Sequence, residues 1–218
     1  QIAASYTNHL LDIGSGFIAY AQPVKNYGVF GAGIIYFGYG DFQGYDVNGN
    51  ETNKFSAHDF ALNLFYANTF KKIHYGANVK FIESAIADFS SSALALDMGA
   101  IYMIEPWGVQ VGASLLNAGF ATKAFIQQKE ALPLSLQLGA SKKLDKAPMT
   151  VSINFSDLNL PGSLGDRLQR FSLATEWNPK ENFFIRGGFA FDRGRDISNT
   201  GCHGAFVIYR NVQGSVFQ

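Results

Sequence analysis

Residues Thr150–Ser156 read T-V-S-I-N-F-S. In an extended chain Val151, Ile153 and Phe155 fall on one side, and Thr150, Ser152, Asn154 and Ser156 on the other. Side chains alternate across a strand with a period of two, so this segment is a strand with two unlike faces. The same alternation recurs outward in both directions. Phe30, Ala32, Ile34 and Tyr36 share one face; Tyr75, Ala77, Val79 and Phe81 oppose His74, Gly76, Asn78 and Lys80; Leu134, Leu136 and Leu138 oppose Ser135, Gln137 and Gly139. The pattern predicts strands over Ile2–Thr7, Gly14–Pro23, Tyr27–Gly40, His58–Asn68, Ile73–Ser84, Ser92–Met103 and Gly108–Asn117. It continues over Leu134–Lys142, Pro148–Asp157, Gln169–Trp177, Asn182–Asp192, Gly201–Tyr209 and Val212–Phe217. That makes about 13 visible strands, with the usual error at their ends.

The connections alternate in length. Lys25-Asn26, Lys71-Lys72, Glu105-Pro106-Trp107, Leu144–Ala147, Asn178–Glu181 and Arg210-Asn211 are short. Asp41–Ala57, Ala118–Pro133, Leu158–Leu168 and Arg193–Thr200 are longer, with a medium loop around Asp88–Ser91. Short turns at one end and long loops at the other are the arrangement of an all-β, transmembrane up-and-down antiparallel β-barrel of an outer membrane. Trp107, Trp177, Phe70, Phe183 and Tyr209 fall near the short turns, where interfacial aromatics belong, and Tyr36, Phe37, Tyr39 and Phe42 could serve at the other end. Bacterial barrels carry an even strand number with both termini periplasmic. A last strand leaving a short turn would end at the surface, so about 14 strands are expected. Residues 1–218 are thus expected to be a single barrel domain that lacks its true N-terminal region and its closing C-terminal strand. The opening Gln1-Ile2, with no Met and no basic-then-apolar leader, leads to the expectation of a signal peptide upstream.

Composition is consistent with this reading. Seventeen basic and 17 acidic residues cancel, so no basic excess points to nucleic acid. Aromatics are 15%, with 20 Phe, 10 Tyr and 23 Gly, a mixture suited to aromatic girdles and close-packed strands. The single Cys202 permits no internal disulfide. No apolar run of about 18 residues exists, which excludes a transmembrane helix and leaves strands untouched.

The segments YGVFGAGIIYFGYGDFQGYDVNGNE (Tyr27–Glu51), FSAHDFALNLFYAN, YGANVKFIES, SSALALDMGAIY, LPLSLQLGASKKLDKAPMTVSI, NPKENFFIRGGFAFDRG and GAFVIYRNVQ follow one another across nearly the whole chain. In this order they resemble the PorQ family, outer-membrane barrels of the type IX secretion system of Bacteroidota. The SSALALDMGAIY and SKKLDKAP stretches are the more specific of them. The resemblance implies a FadL-like barrel and a non-enzymatic role at the cell surface. There, with PorZ-like partners, it would belong to the complex that attaches secreted cargo to lipopolysaccharide, with PorU-like and PorV-like proteins in the same apparatus. A PorV-like cargo shuttle and a FadL-like channel for hydrophobic molecules share that fold. The sequence departs from the family by lacking an N-terminal NPA segment and the final strand, and GSVFQ matches that strand's neighbour poorly.

Six charges fall on the polar face: Lys80, Asp97, Arg170, Glu176, Arg186 and Asp192. A carboxylate in lipid is costly, so this face is expected inside, the two signs neutralising each other across strands. A polar permeation path is the functional alternative. His9, His58, His74 and His203 lack metal-ligand spacing. No G-x-S-x-G elbow is present, and Gly38–Gly44 lacks the Lys-Ser/Thr pair of a phosphate loop. Hence no catalytic, cofactor or metal site is expected. Cys202 reads as an inert small residue on the apolar face. The long loops are the candidate recognition surface, with Phe42, Tyr45 and Phe55 in the first and Phe120 and Phe125 in the second as docking aromatics. A soluble barrel with its apolar face inward is the competing reading, and the direction of Val151, Ile153 and Phe155 decides between them.

Overall fold

The computed structural model describes residues 1–9, 12–124, 131–180, 183–193 and 200–210, with backbone alone for 180, 192–193 and 200–210. Twelve strands lie in one sheet in chain order: β1 (Ile2–Asn8), β2 (Gly14–Val24), β3 (Gly28–Phe42), β4 (Phe55–Phe70), β5 (Ile73–Ile86), β6 (Phe89–Ile104), β7 (Val109–Lys123), β8 (Ser135–Lys143), β9 (Met149–Phe155), β10 (Arg170–Lys180), β11 (Phe183–Arg193) and β12 (Thr200–Arg210). The pairs are antiparallel from β1 to β4 and from β8 to β12. Among the described residues the only helix beyond a 3-10 turn at Glu105–Trp107 is the four-residue α1 (Leu164–Arg167). Each expected strand up to Gly201–Tyr209 is present, and Val212–Phe217 lies outside the described residues.

Two expectations about connections need correction. The medium loop near Asp88–Ser91 is a tight turn of Ala87 and Asp88, with Ala87 left-handed at φ 51°. The strand begins at Phe89 because Phe89–Ser91 continue the alternation of β6. The long loop Asp41–Ala57 is also shorter than expected. A register shift between Gly38 and Asp41 lets the hairpin resume, pairing Asp41 with Ser56 and Phe42 with Phe55. Such a bulge breaks the period of two that marks a strand in sequence.

The chain divides into two compact units. Unit 1 comprises Gln1–Phe70, Tyr75–Met98 and Leu116–Leu134; unit 2 comprises Lys71–His74, Gly99–Leu115 and the chain from Ser135 onward. In unit 1 the face that carries Asn63 mixes polar side chains with Phe17 and Ile35, while the opposite face carries Ile18, Ile34 and Leu64. Register in unit 1 aligns Ile18, Ile34 and Leu62, and beside them Tyr20, Ala32 and Leu64; Leu64 is 55% exposed. Asn63, its neighbour on the opposite face, is 8% exposed. In unit 2, Phe155, Phe171 and Phe191 are in register on the apolar face, their rings 6.4 and 5.7 Å apart along the row. Of the three residues whose direction decides between the two readings, Val151 is 43% exposed, and Ile153 and Phe155 are half-buried.

The buried apolar core among the described residues is Ala93, Ala95 and Ala121, and no large side chain is fully buried. A water-soluble domain of this length buries most of its unfolded surface and rarely leaves a contiguous apolar patch beyond a few hundred Å². Here Ile18, Ile34, Leu64, Val79 and Val151 are all exposed.

Candidate functional site: the polar face and the loop ends

On the sheltered face of unit 1, β4 to β7 carry a connected polar row. Lys80 Nζ lies 2.8 Å from Asp97 Oδ1 and donates to Asn117 Oδ1 at 2.5 Å. Asn78 Nδ2 donates to Asn63 Oδ1 at 3.0 Å and to Asp97 Oδ2 at 3.3 Å. Asn117 sits inside β7 with a left-handed φ of 58°. That turn takes its backbone N–H out of the ladder, and it donates to Asp97 Oδ1 at 2.8 Å. Asp97 therefore has an ammonium, a backbone amide and a side-chain amide around it, which is how a sheltered carboxylate stays ionised. Nearer the long loops, Tyr39 Oη donates to Asp59 Oδ2 at 2.6 Å, and Ser84 Oγ donates to Asp59 Oδ1. This pins β3, β4 and β5 together on the same face.

The six expected charges resolve into separate pairs. Lys80–Asp97 lies in unit 1. In unit 2, Glu176 and Arg186 are register partners and form an ion pair. Arg170 lies 3.7 Å from Asp157, a residue the sequence reading did not single out. Arg170 and Glu176 are about 20 Å apart along β10. Arg170 and Asp192 are aligned in register, but the Asp192 side chain is outside the described residues. Sequence reasoning also missed Asn63, Asn117 and Asp59, and Tyr39, expected as an interfacial aromatic, instead donates to Asp59. Asn63 was legible as a polar residue between Leu62 and Leu64; Asn117 was not, because its role rests on a left-handed backbone.

Among the described residues a groove lies in each unit. The larger, about 730 Å³, lies in unit 1 over β1 to β5 and is lined by Ser5, Thr7, Ser15, Phe17, Ala19, Gly33, Ile35, Phe37, Phe65, Asn63 and Asn78, among others. It corrects the expectation of a uniformly polar face, since Phe17, Ile35, Phe37 and Phe65 line it. Gly31 makes room for Phe65, because a Cβ there would meet the ring at 2.2 Å. The smaller, about 390 Å³, lies in unit 2 over Ser141, Thr150, Ser152, Glu176 and Arg186.

The candidate docking aromatics are not all in loops. Phe42 ends β3 and Phe55 begins β4, stacked with centroids 5.4 Å apart. Phe120 is on β7 and exposed. Tyr45 lies in the β3–β4 loop, bridged to Glu51, and Phe125 is outside the described residues. The loop itself is organised by Asp46. Its Oδ1 accepts the backbone N–H of Asn48 and of Asn50, each at 2.8 Å, and its Oδ2 accepts Asn50 Nδ2 at 3.0 Å. These bonds, the Asn50 side chain first, hold its carboxyl below the usual carboxylate range. They set Val47 at the tip, fully exposed.

Among the described residues no group of three or more His, Cys, Asp or Glu is placed to hold a metal ion, and no helix is long and apolar enough to cross a membrane. No family model matches the chain, and no curated protein matches it.

Proposed function

We propose that this chain is an outer-membrane β-barrel of about fourteen strands that acts without catalysis, holding a secretion-system protein at the cell surface through its long-loop end. The observation that carries the reading is the direction of the apolar side chains: Ile18, Ile34, Leu64, Val79, Leu94, Met98, Val151 and Leu173 all face outward. In water that surface would drive association; against acyl chains it is at its most stable. Closure into a barrel would pair every backbone group within the hydrocarbon. Strands β3 to β7, of 14 to 16 residues, exceed the roughly 9–11 needed to span a bilayer. Their excess would carry Phe42, Phe55 and Phe120 clear of the membrane, beside Tyr45 and Val47. The PorQ-like segments supply the partner class: a PorZ-like surface protein in the complex that attaches cargo to lipopolysaccharide.

The experiment is affinity purification from detergent-solubilised outer membranes, paired with a deletion strain. A surface protein co-purifying with the barrel, and cargo released from the surface on deletion, is the expected result. A barrel recovered alone, from a strain whose deletion leaves cargo attached, refutes the anchor.

A second reading, a FadL-like channel for hydrophobic molecules, is favoured by the aromatic-lined groove of about 730 Å³. It requires that an apolar solute enter proteoliposomes faster with the protein than without it, and that Phe37→Glu abolish the difference.

A further inference from the structure

The turns at the short-turn end of unit 2 are tied to one another by backbone hydrogen bonds. Met103 N–H donates to Lys72 O at 3.1 Å, Lys143 N–H to Gly108 O at 3.2 Å, and Asn178 N–H to Pro148 O at 2.7 Å. One continuous margin results, where Lys71, Lys72, Lys142, Lys143 and Lys146 outnumber Glu105 and Asp145. Lys72 is paired with Glu105 at 3.0 Å. Lys142, Lys143 and Lys146 are exposed. Two tryptophans stand in the same margin: Trp107, 67% exposed in the 3-10 turn, and Trp177 on the apolar face opposite Met149. Lys142 is directly opposite Val151, so its aliphatic stem starts on that apolar face as well.

A lysine rooted on an apolar face at a strand end extends its ammonium to the nearest polar layer. Indoles collect at that same layer, where one edge is wet and the ring is not. A basic protein partner-site would need the lysines but would have no use for a lysine rooted among residues facing hydrocarbon. We propose that this margin of unit 2 binds the phosphates of anionic phospholipid headgroups, fixing that end of the sheet at the inner-leaflet surface. The inference rests on the membrane reading above and adds to it a lipid class and an orientation.

The test uses the full chain reconstituted in nanodiscs of mixed phosphatidylcholine and phosphatidylglycerol, then released into detergent, with retained lipid counted by native mass spectrometry. Phosphatidylglycerol should be retained over phosphatidylcholine. Each lysine near an anionic surface is worth roughly fivefold, so Lys142→Gln/Lys143→Gln/Lys146→Gln should lower that preference at least about tenfold after screening. Lys142→Arg/Lys143→Arg/Lys146→Arg should keep it, which separates charge from folding. Inorganic phosphate that strips the lipid at equal charge would assign the site to free phosphate and overturn the proposal; tighter binding of an acidic peptide than of phosphatidylglycerol vesicles would do the same. Equal retention of the two lipids, or no change in the Gln variant, also overturns it. Detergent-phase partitioning separates the two layers of the argument. A protein that enters the detergent phase without lipid preference refutes the headgroup site alone, whereas one that stays in the aqueous phase refutes the membrane reading with it.

Discussion

Leu64→Arg distinguishes a lipid-facing apolar surface from one that merely faces water. Leu64 lies well inside β4, opposite Ala32 with Tyr20 beyond it, and is 55% exposed on the face away from Asn63. Against acyl chains, the half of the side chain that is uncovered contributes about 1 kcal/mol. An arginine near the bilayer midplane costs a further 2–4 kcal/mol, about. The sum is a loss of about 3–5 kcal/mol in lipid. On a soluble protein the same exposed substitution would stay within about 0.5 kcal/mol. The assay is reversible urea unfolding in fluid vesicles, followed by tryptophan fluorescence and by the mobility difference between unheated and heated samples on a gel. Asn63→Leu supplies the reciprocal sign. It removes the acceptor of the Asn78 amide at 3.0 Å and should destabilise by about 1–3 kcal/mol, whereas a leucine added to an apolar soluble core would not. A Leu64→Arg variant that folds into vesicles with wild-type stability would refute the outward assignment of the apolar face.

Three further outcomes follow from particular contacts. Lys80→Met strands Asp97 with only amide donors and should cost about 2 kcal/mol, discounted from the fully buried case because roughly a fifth of each side chain is exposed; Lys80→Met/Asp97→Leu should cost less than the two single changes together, and a coupling below about 0.5 kcal/mol in the cycle counts against the pair. Gly119→Ala would put a Cβ 2.0 Å from the Leu94 carbonyl oxygen and 2.6 Å from Ala95 Cα, so a loss near about 3 kcal/mol is expected in urea. Gly165→Ala, which meets only Ser163 Oγ at 3.7 Å, should be close to neutral. For Asp46 the folded carboxyl titrates below its ordinary value, so its support of the turn is complete above the usual aspartate pKa of about 3.9 and is lost as pH falls through the lower folded value. Amide exchange at Asn48 and Asn50 should therefore stay slow through mild acid and quicken only below that range; Asp46→Ala should be fast throughout, and identical pH profiles for the two proteins would remove the turn's role.

Much of the architecture was readable because alternation is local. A segment such as Thr150–Ser156 declares two unlike faces without reference to anything distant, and each expected strand within the described residues is there. What alternation leaves open is which face looks out. That depends on how strands curve against one another; Val151 and Leu64 are exposed and Asn63 is sheltered, while Phe17 and Ile35 on the Asn63 face are exposed as well. Strand ends were legible less well, for a specific reason. Phe42, Phe55 and Phe120 read as loop aromatics because a register shift precedes the first pair and the left-handed Asn117 precedes the third. The shift between Gly38 and Asp41 moves the pattern by one residue, after which the period of two resumes out of phase.

Charge pairing was the least legible layer, and the polar face explains why. Glu176 is matched with Arg186 by the register of β10 and β11, across a shift between Trp177 and Lys180 that a turn at Asn178–Glu181 does not foretell. Asp97 has its partners, Lys80 and Asn117, on two other strands. Arg170 sits against Asp157 just beyond the end of β9, where Asp157 is left-handed at φ 54°. The left-handed residues Asn117 and Asp157 place a backbone N–H and a carboxylate where no strand pattern would put one. Among the polar-face charges it is therefore Asp97, reached by a turned backbone amide, that the local sequence pattern explains least and the surrounding geometry specifies most.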